Sequence, residues 1–192
     1  MEEQIRQAVE VLKKGGIILY PTDTIWGIGC DATLSDAVSA IYRIKRRDES
    51  KSMLVLSDSI DRLYLYVEEV PETALRIMRD AVSPVTIIYP KGRNLAPNLL
   101  ADDGSIGIRI TTDLFCCHLI RTLGKPVVST SANVSGEPGP LNFSEISAVV
   151  KNSVDFIVDW RREETKQPGP SLVIRVGLNG EVEIIRNSHP PV

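Results

Sequence analysis

The sequence predicts an α/β protein with a mixed sheet, and three observations carry that reading. Short apolar runs alternate with amphipathic helical stretches along most of the chain, the order in which α/β folds lay down strands and the helices that cover them. Near the end, Asn179-Gly180 separates two strand-like runs; a tight turn of this kind joins antiparallel strands, so the sheet is not purely parallel. The length of 192 residues suits one large domain, read here as 1–192.

Residues 2–14 place Ile5, Ala8, Val9 and Leu12 at helical spacing, and Lys13-Lys14-Gly15 supplies cations and a glycine at its end. Ile17-Ile18-Leu19-Tyr20 then reads as a buried strand that stops at Pro21 and delivers the chain to Thr22-Asp23-Thr24. A second helix fits 35–46, with Ala37, Val38, Ile41 and Ile44 on one face and a Ser35-Asp36 start suited to capping. Further strands are expected at 53–56, 85–89, 106–110, 126–129, 156–158, 171–176 and 182–186, with helices near 59–66, 72–81 and 114–123. The segments 91–105 and 161–170 are rich in Pro, Gly, Asn and charge, which marks them as the expected mobile loops and candidate lids.

A formal net charge of -3 argues against a protein whose main task is coating nucleic acid or an anionic membrane, while leaving room for a local basic patch. Cys30, Cys116 and Cys117 form no C-x-x-C pair, and an odd count makes a poor disulfide framework, so reduced thiols in a cytosol are expected. The charged start Met1-Glu2-Glu3 has no apolar run behind it and does not read as a signal peptide. No apolar stretch approaches the roughly 20 residues needed to cross a bilayer.

Lys45-Arg46-Arg47 with Lys51 puts four cations within seven residues. Arginine forks and a lysine point charge suit the oxygens of a polyphosphate, although cations in a last helical turn also serve the helix dipole and face water. Ser129 to Asn133 presents hydroxyls and an amide where a buried strand ends, either a ligand site or a capping turn. Asp23, just past the first strand, is a metal or amine ligand or a turn-former. Arg109, alternating with Ile108 and Ile110, faces a site or the solvated side of the sheet. No phosphate loop, dinucleotide fingerprint or nucleophile elbow is present. With only His118 and His189, a zinc site or histidine triad is not expected. Cys116 and Cys117 read as a helix pair with at least one buried thiol, not as nucleophiles.

Taken together, Pro21-Thr22-Asp23-Thr24-Ile25-Trp26-Gly27-Ile28-Gly29, Lys45-x-Arg47, Ser83-Pro84-Val85-Thr86, Ile108-Arg109, Ser131-Ala132-Asn133-Val134-Ser135-Gly136 and Pro170-Ser171-Leu172-Val173 resemble the TsaC/YrdC family of threonylcarbamoyl-AMP synthases, in order over nearly the whole chain. The resemblance implies a twisted sheet with flanking helices around a positively charged central cavity. There a cytoplasmic nucleotidyltransferase converts L-threonine, bicarbonate and ATP, with Mg2+, into threonylcarbamoyl-AMP and pyrophosphate. The product goes to tRNA-modification proteins that make threonylcarbamoyladenosine. It further implies catalytic roles for Lys45 and Arg47, and ATP contacts from Arg47, Lys51, Ser105, Asn133 and Arg186. Thr24, Arg109, Ser131 and Ser171 are implied to bind threonine; the metal ligands are not identified.

The sequence departs from the family pattern at several places: Asp23 for glutamate, Trp26 for tyrosine, Arg46 for glycine, Asp48 for proline, Thr111 for proline, and Leu141 where some relatives place a hydroxyl. The end at Val192 corresponds to the short, single-domain form. Two alternatives stand beside the synthase, which is itself expected to have at most weak RNA affinity: an RNA-binding module, whose sign is a steep salt dependence of RNA binding that survives saturating ATP and threonine, and a YciO-like paralogue with the same fold and another substrate.

Overall fold

The computed structural model describes residues 1–49, 51–165 and 169–187. Helix α1 (Glu2–Lys13) buries Ile5, Ala8, Val9 and Leu12, the stripe that the periodicity predicts. Strand β1 (Ile18–Tyr20) follows, then β2 (Gly27–Gly29), α2 (Ser35–Lys45), β3 (Leu54–Ser57), α3 (Ile60–Tyr66), α4 (Glu72–Asp80), β4 (Val85–Tyr89), β5 (Ile106–Ile110), α5 (Leu114–Leu123), β6 (Val127–Ser131), α6 (Ala148–Lys151), β7 (Phe156–Ile157), β8 (Leu172–Val176) and β9 (Val182–Arg186). The strands form one sheet in the order β7-β1-β2-β6-β3-β5-β4-β8-β9. Pairs β1/β7, β3/β5 and β4/β8 are parallel and the other five antiparallel, so the mixed sheet is confirmed. No helix among the described residues is long and apolar enough to cross a membrane.

Strand residues alternate between the two faces of a sheet, and this alternation separates two apolar clusters. Ile17, Leu19, Ile28, Val55, Ile106, Ile108 and Val128 pack with Ala37, Val38 and Ile41 of α2 on one face. Ile18, Tyr20, Leu56 and Val127 pack under α1 and α5 on the other. Stepping two residues along the same strands from that second face leads from Leu56 to Leu54 and from Val127 to Ser129 and Ser131, which line a cavity. The helices therefore cover only part of this face, and the remainder is left open as a site.

Strand β2 is absent from the expected elements because Gly27-Ile28-Gly29 lacks the β-branched run that marks a strand. One of its glycines, Gly29, is required by close packing. A Cβ on Gly29 would stand 2.5 Å from the Val128 carbonyl oxygen and 2.7 Å from a ring carbon of Tyr20. Gly29→Ala is expected to lower unfolding free energy by about 2–3 kcal/mol through overpacking; a urea midpoint unchanged from the parent would show that the strand yields at no cost.

Two further expectations are corrected. Ser35 does not cap α2: Leu34 occupies the cap position with no side-chain hydrogen bond, and Ser35 is already helical. The segment 91–105 is not a loose lid. Gly92 N–H donates to Gly104 O at 2.9 Å, Ala96 N–H donates to Ala32 O at 2.9 Å, and Ala96 and Leu99 are buried, so apolar anchors hold the Pro- and Gly-rich chain. In 161–170, Arg161 pairs with Asp113 and Glu164; residues 166–168 of that segment and His189 lie outside the described residues. The short helix α6 was not expected either, being a single turn. The thiols behave as read: Cys30, Cys116 and Cys117 are all free and buried, and burial pushes each one up.

Candidate active site

The cavity on the open face has a volume of about 520 Å³ and is lined by Thr24, Arg47, Arg109, Ser131, Ser171 and Arg186, among others. Arg109 reaches it because it shares a face of β5 with Gly107, which also lines the wall, while Ile106 and Ile108 fill the core behind. The residue is 3% exposed, which rules out the solvated-face reading. Its NH2 lies 3.1 Å from Asp23 Oδ1 and its NH1 donates to Thr24 Oγ1 at 3.2 Å. The Arg109 Nε has no hydrogen-bond partner among the described residues, and a buried guanidinium with a spare donor is suited to an anion. Asp23 is thus the partner that holds Arg109, the job of an ion pair and not of a turn-former.

A second chamber of about 410 Å³ is lined by Lys45, Arg46, Arg47, Asp48, Lys51 and Asn133, together with Ser131, Ser135 and Gly136. Arg47 and Ser131 line both spaces, so the two chambers share a wall. Lys45 is not a solvated helix end: it is 2% exposed and continues the buried stripe of Val38, Ile41 and Tyr42. Its Nζ donates to the carbonyl oxygens of Ser131 at 2.6 Å and Asn133 at 2.7 Å, fixing the turn after β6. Burial, and after it the charge of Arg47, lowers the ammonium from 10.5 to about 8. Arg47 donates from Nε to Lys51 O at 2.8 Å and from NH2 to Ser52 O at 2.9 Å, which anchors the loop that carries Lys51.

Arg186 enters the larger cavity through a break in the ladder. Val173 pairs with Arg186 but Ile174 pairs with Ile184, which leaves Ile185 as an extra residue. A bulge of this kind re-aims side chains, and Ile185 and Arg186 accordingly line the same wall although they are neighbours in sequence. Arg186 NH2 donates to Ser171 O at 3.1 Å. Burial, and then the charge of Arg109, lowers Arg186; an anion placed between the two guanidiniums relieves that repulsion. Ser171 Oγ shares a 2.8 Å hydrogen bond with Thr86 Oγ1.

The structure thus gathers Thr24, Lys45, Arg47, Lys51, Arg109, Ser131, Asn133, Ser171 and Arg186 around the two chambers. Ser105 stands apart. It is buried, its N–H donates to Asp103 Oδ1 at 2.9 Å, and it lines neither space, two residues up the strand from Gly107. Thr86 and Trp26 carry no predicted role yet line the larger cavity. For Thr86 the alternation of β4 was the available signal, since a threonine between Val85 and Ile87 faces away from the core. Trp26 gives no such signal: it is fully buried, with its ring 4.8 Å from that of Phe143, and reads as core.

The Sua5_yciO_yrdC family model, described as telomere recombination, matches residues 10–188. A Stenotrophomonas maltophilia protein named threonylcarbamoyl-AMP synthase is 32% identical over 184 residues, covering 94% of this chain and 97% of its own. A Hahella chejuensis protein of the same name is 30% identical over 165 residues, 85% and 90% of the two chains. Among solved structures, E. coli YciO superposes with a TM-score of 0.83 at 27% identity, covering 97% of this chain and 89% of that one. P. abyssi Sua5 complexed with L-threonine shares the fold, with a TM-score of 0.80 at 24% identity over 92% of this chain; the chain spans only 52% of that protein. With a family match over almost its whole length and relatives matched nearly end to end, the chain belongs to the Sua5/YciO/YrdC family.

Proposed function

We propose that the chain is an L-threonylcarbamoyladenylate synthase that joins L-threonine, bicarbonate and ATP and releases pyrophosphate. The observation that carries this reading is the shared wall: Arg47 and Ser131 border both the cation-lined chamber and the cavity that contains Arg109. Two substrates held on either side of that wall have their reacting ends adjacent, and such positioning is the chief catalytic device for a step of this kind. The relatives named threonylcarbamoyl-AMP synthase support the same chemistry.

In this scheme Arg109 takes the threonine carboxylate, with Thr24, Ser131 and Ser171 around the rest of the amino acid. The threonine nitrogen bonds to the bicarbonate carbon and water leaves. A carbamate oxygen then attacks the α-phosphorus of ATP, and the bond to the β-phosphate breaks with both electrons going to pyrophosphate. Lys45, Arg47 and Lys51 neutralise charge along the triphosphate, Asn133 lies beside them, and Arg186 reaches the nucleotide from the opposite wall. No role follows for Ser105. Among the described residues no group of three or more metal-ligating side chains is present, and Asp48 is the one carboxylate lining the phosphate chamber. Magnesium is proposed to enter bound to the phosphates of ATP. The adenylate passes to tRNA-modification proteins in the cytoplasm, and any direct RNA affinity of this chain is weak.

A second reading keeps the fold and changes the substrate, and the superposition on YciO favours it. One assay separates them. Protein incubated with threonine, bicarbonate, magnesium and α-labelled ATP is expected to yield a labelled adenylate with one pyrophosphate per product. Absence of that product when downstream partners are present and active would leave the YciO-like reading standing.

A further inference from the structure

The phosphate chamber contains a cation whose backbone is strained. Arg46 ends α2 at φ 49 and ψ 41, in the left-handed region. That conformation brings Cβ of an L-residue against the following carbonyl and is normally given to glycine, which closes helices in this way without penalty. Here Arg46 N–H donates to Arg43 O at 3.1 Å and Arg47 N–H to Tyr42 O at 3.0 Å, so the cap is closed by backbone bonds that any residue supplies. The side chain contributes nothing to the fold to offset the strain: it is exposed and lines the chamber. It makes no hydrogen bond or ion pair among the described residues. A favourable dipole contact does not account for it, because Arg43 and Lys45 already serve the last turn.

We infer that Arg46 is a polyphosphate-binding cation, held over the chamber at the expense of helix stability. This rests on the synthase reading for the identity of the ligand. The left-handed cap supplies the geometry. It ends the helical path at that residue, and Lys45 on the buried stripe, Arg46 at the cap and Arg47 beyond it all border one space. Strain that no internal contact repays is expected where a ligand does, and a guanidinium fork meets two oxygens of a phosphate at once. Arg46 then binds the β- and γ-phosphates before the reaction and pyrophosphate after it.

Three substitutions separate charge from strain. In Arg46→Gly both disappear: thermal midpoint rises by about 2–4 °C, while affinity for inorganic pyrophosphate and for ATP falls about tenfold. Arg46→Ala keeps the Cβ, so it loses the affinity without gaining the midpoint. Arg46→Lys keeps a charge and stays within about threefold of the parent in affinity. AMP, lacking the terminal phosphates, binds all four proteins alike. Titration calorimetry with pyrophosphate, ATP and AMP, plus a thermal scan, reads every arm. Parent protein that binds ATP while Arg46→Gly binds pyrophosphate just as well overturns this inference alone. Parent protein that binds neither ATP nor pyrophosphate removes the synthase reading and this inference with it. A midpoint that does not rise in Arg46→Gly refutes the strain argument.

Discussion

Lys45→Ala is expected to cut adenylate formation by about 100-fold or more, the usual loss when one preorganised charge is removed from a reacting phosphate. The substitution also lowers unfolding free energy by about 1–3 kcal/mol, since two carbonyls lose their donor. The second effect follows from the hydrogen bonds of Nζ to Ser131 O and Asn133 O, so an activity loss in the alanine variant alone is ambiguous. Lys45→Met removes the packing share of the effect: the thioether refills the volume of the stem but donates to neither carbonyl, so stability recovers only by that share and activity does not. Recovery of both would mean that Lys45 only fills space. The same ammonium makes the site sensitive to alkali. It is lowered from 10.5 to about 8 in the folded protein, so between these values the unfolded chain binds more protons than the native one. Stability of the unliganded protein therefore rises across that window with a contribution absent from Lys45→Met. Affinity for ATP moves the other way, because the triphosphate needs the charged form. Above about pH 8 binding weakens and is accompanied by proton uptake, measurable as a buffer-dependent heat. ATP affinity that is flat from pH 7 to 10 would contradict the assignment of Lys45 to the phosphates.

Much of the fold was legible because its signals are periodic. The stripe Ile5, Ala8, Val9, Leu12 and the runs 85–89 and 106–110 each gave the observed element within a residue or two. What escaped has identifiable causes. Strand β2 depends on Gly29 for contact distance, a property of its neighbours Val128 and Tyr20 that no local pattern records. Segment 91–105 has the composition of a lid, yet buried Ala96 and Leu99 hold it to the core. Within the site, Lys45 was legible as a cation but not as a buried one, although its position four residues after Ile41 on the apolar stripe was a readable sign. The aim of Arg186 depends on a bulge at Ile185, and strict alternation would send two adjacent residues to opposite faces. The resemblance brought Ser105 into the nucleotide set, while the geometry places it outside both chambers, where its partners are the 101–105 turn.

Arg109 gives the other large expected effect, and Asp23 decides how to measure it. Arg109→Lys keeps a charge but loses the planar fork that spans a carboxylate. The expected outcome is a rise in KM for threonine of about 10- to 100-fold, the worth of a charge-assisted pair, with KM for ATP within about threefold of the parent. An equal shift in both would place Arg109 on the nucleotide instead. Arg109→Ala is more severe and less informative, because it leaves Asp23 in a side-chain environment only 14% exposed with its cation gone. Breaking one partner of such a pair costs about 3–5 kcal/mol, enough to confuse unfolding with loss of binding. The remedy is to remove both charges. Asp23→Asn with Arg109→Ala abolishes the unpaired carboxylate and is expected to regain most of the lost stability while threonine binding stays absent. Asp23→Asn alone, which leaves Arg109 in place with Thr24 as its remaining partner, raises KM for threonine and lowers kcat little, since Asp23 acts only through the position of the guanidinium. If the double variant binds threonine as the parent does, the carboxylate is held elsewhere, and the 3.1 Å pair between Asp23 and Arg109 is a strut of the fold alone.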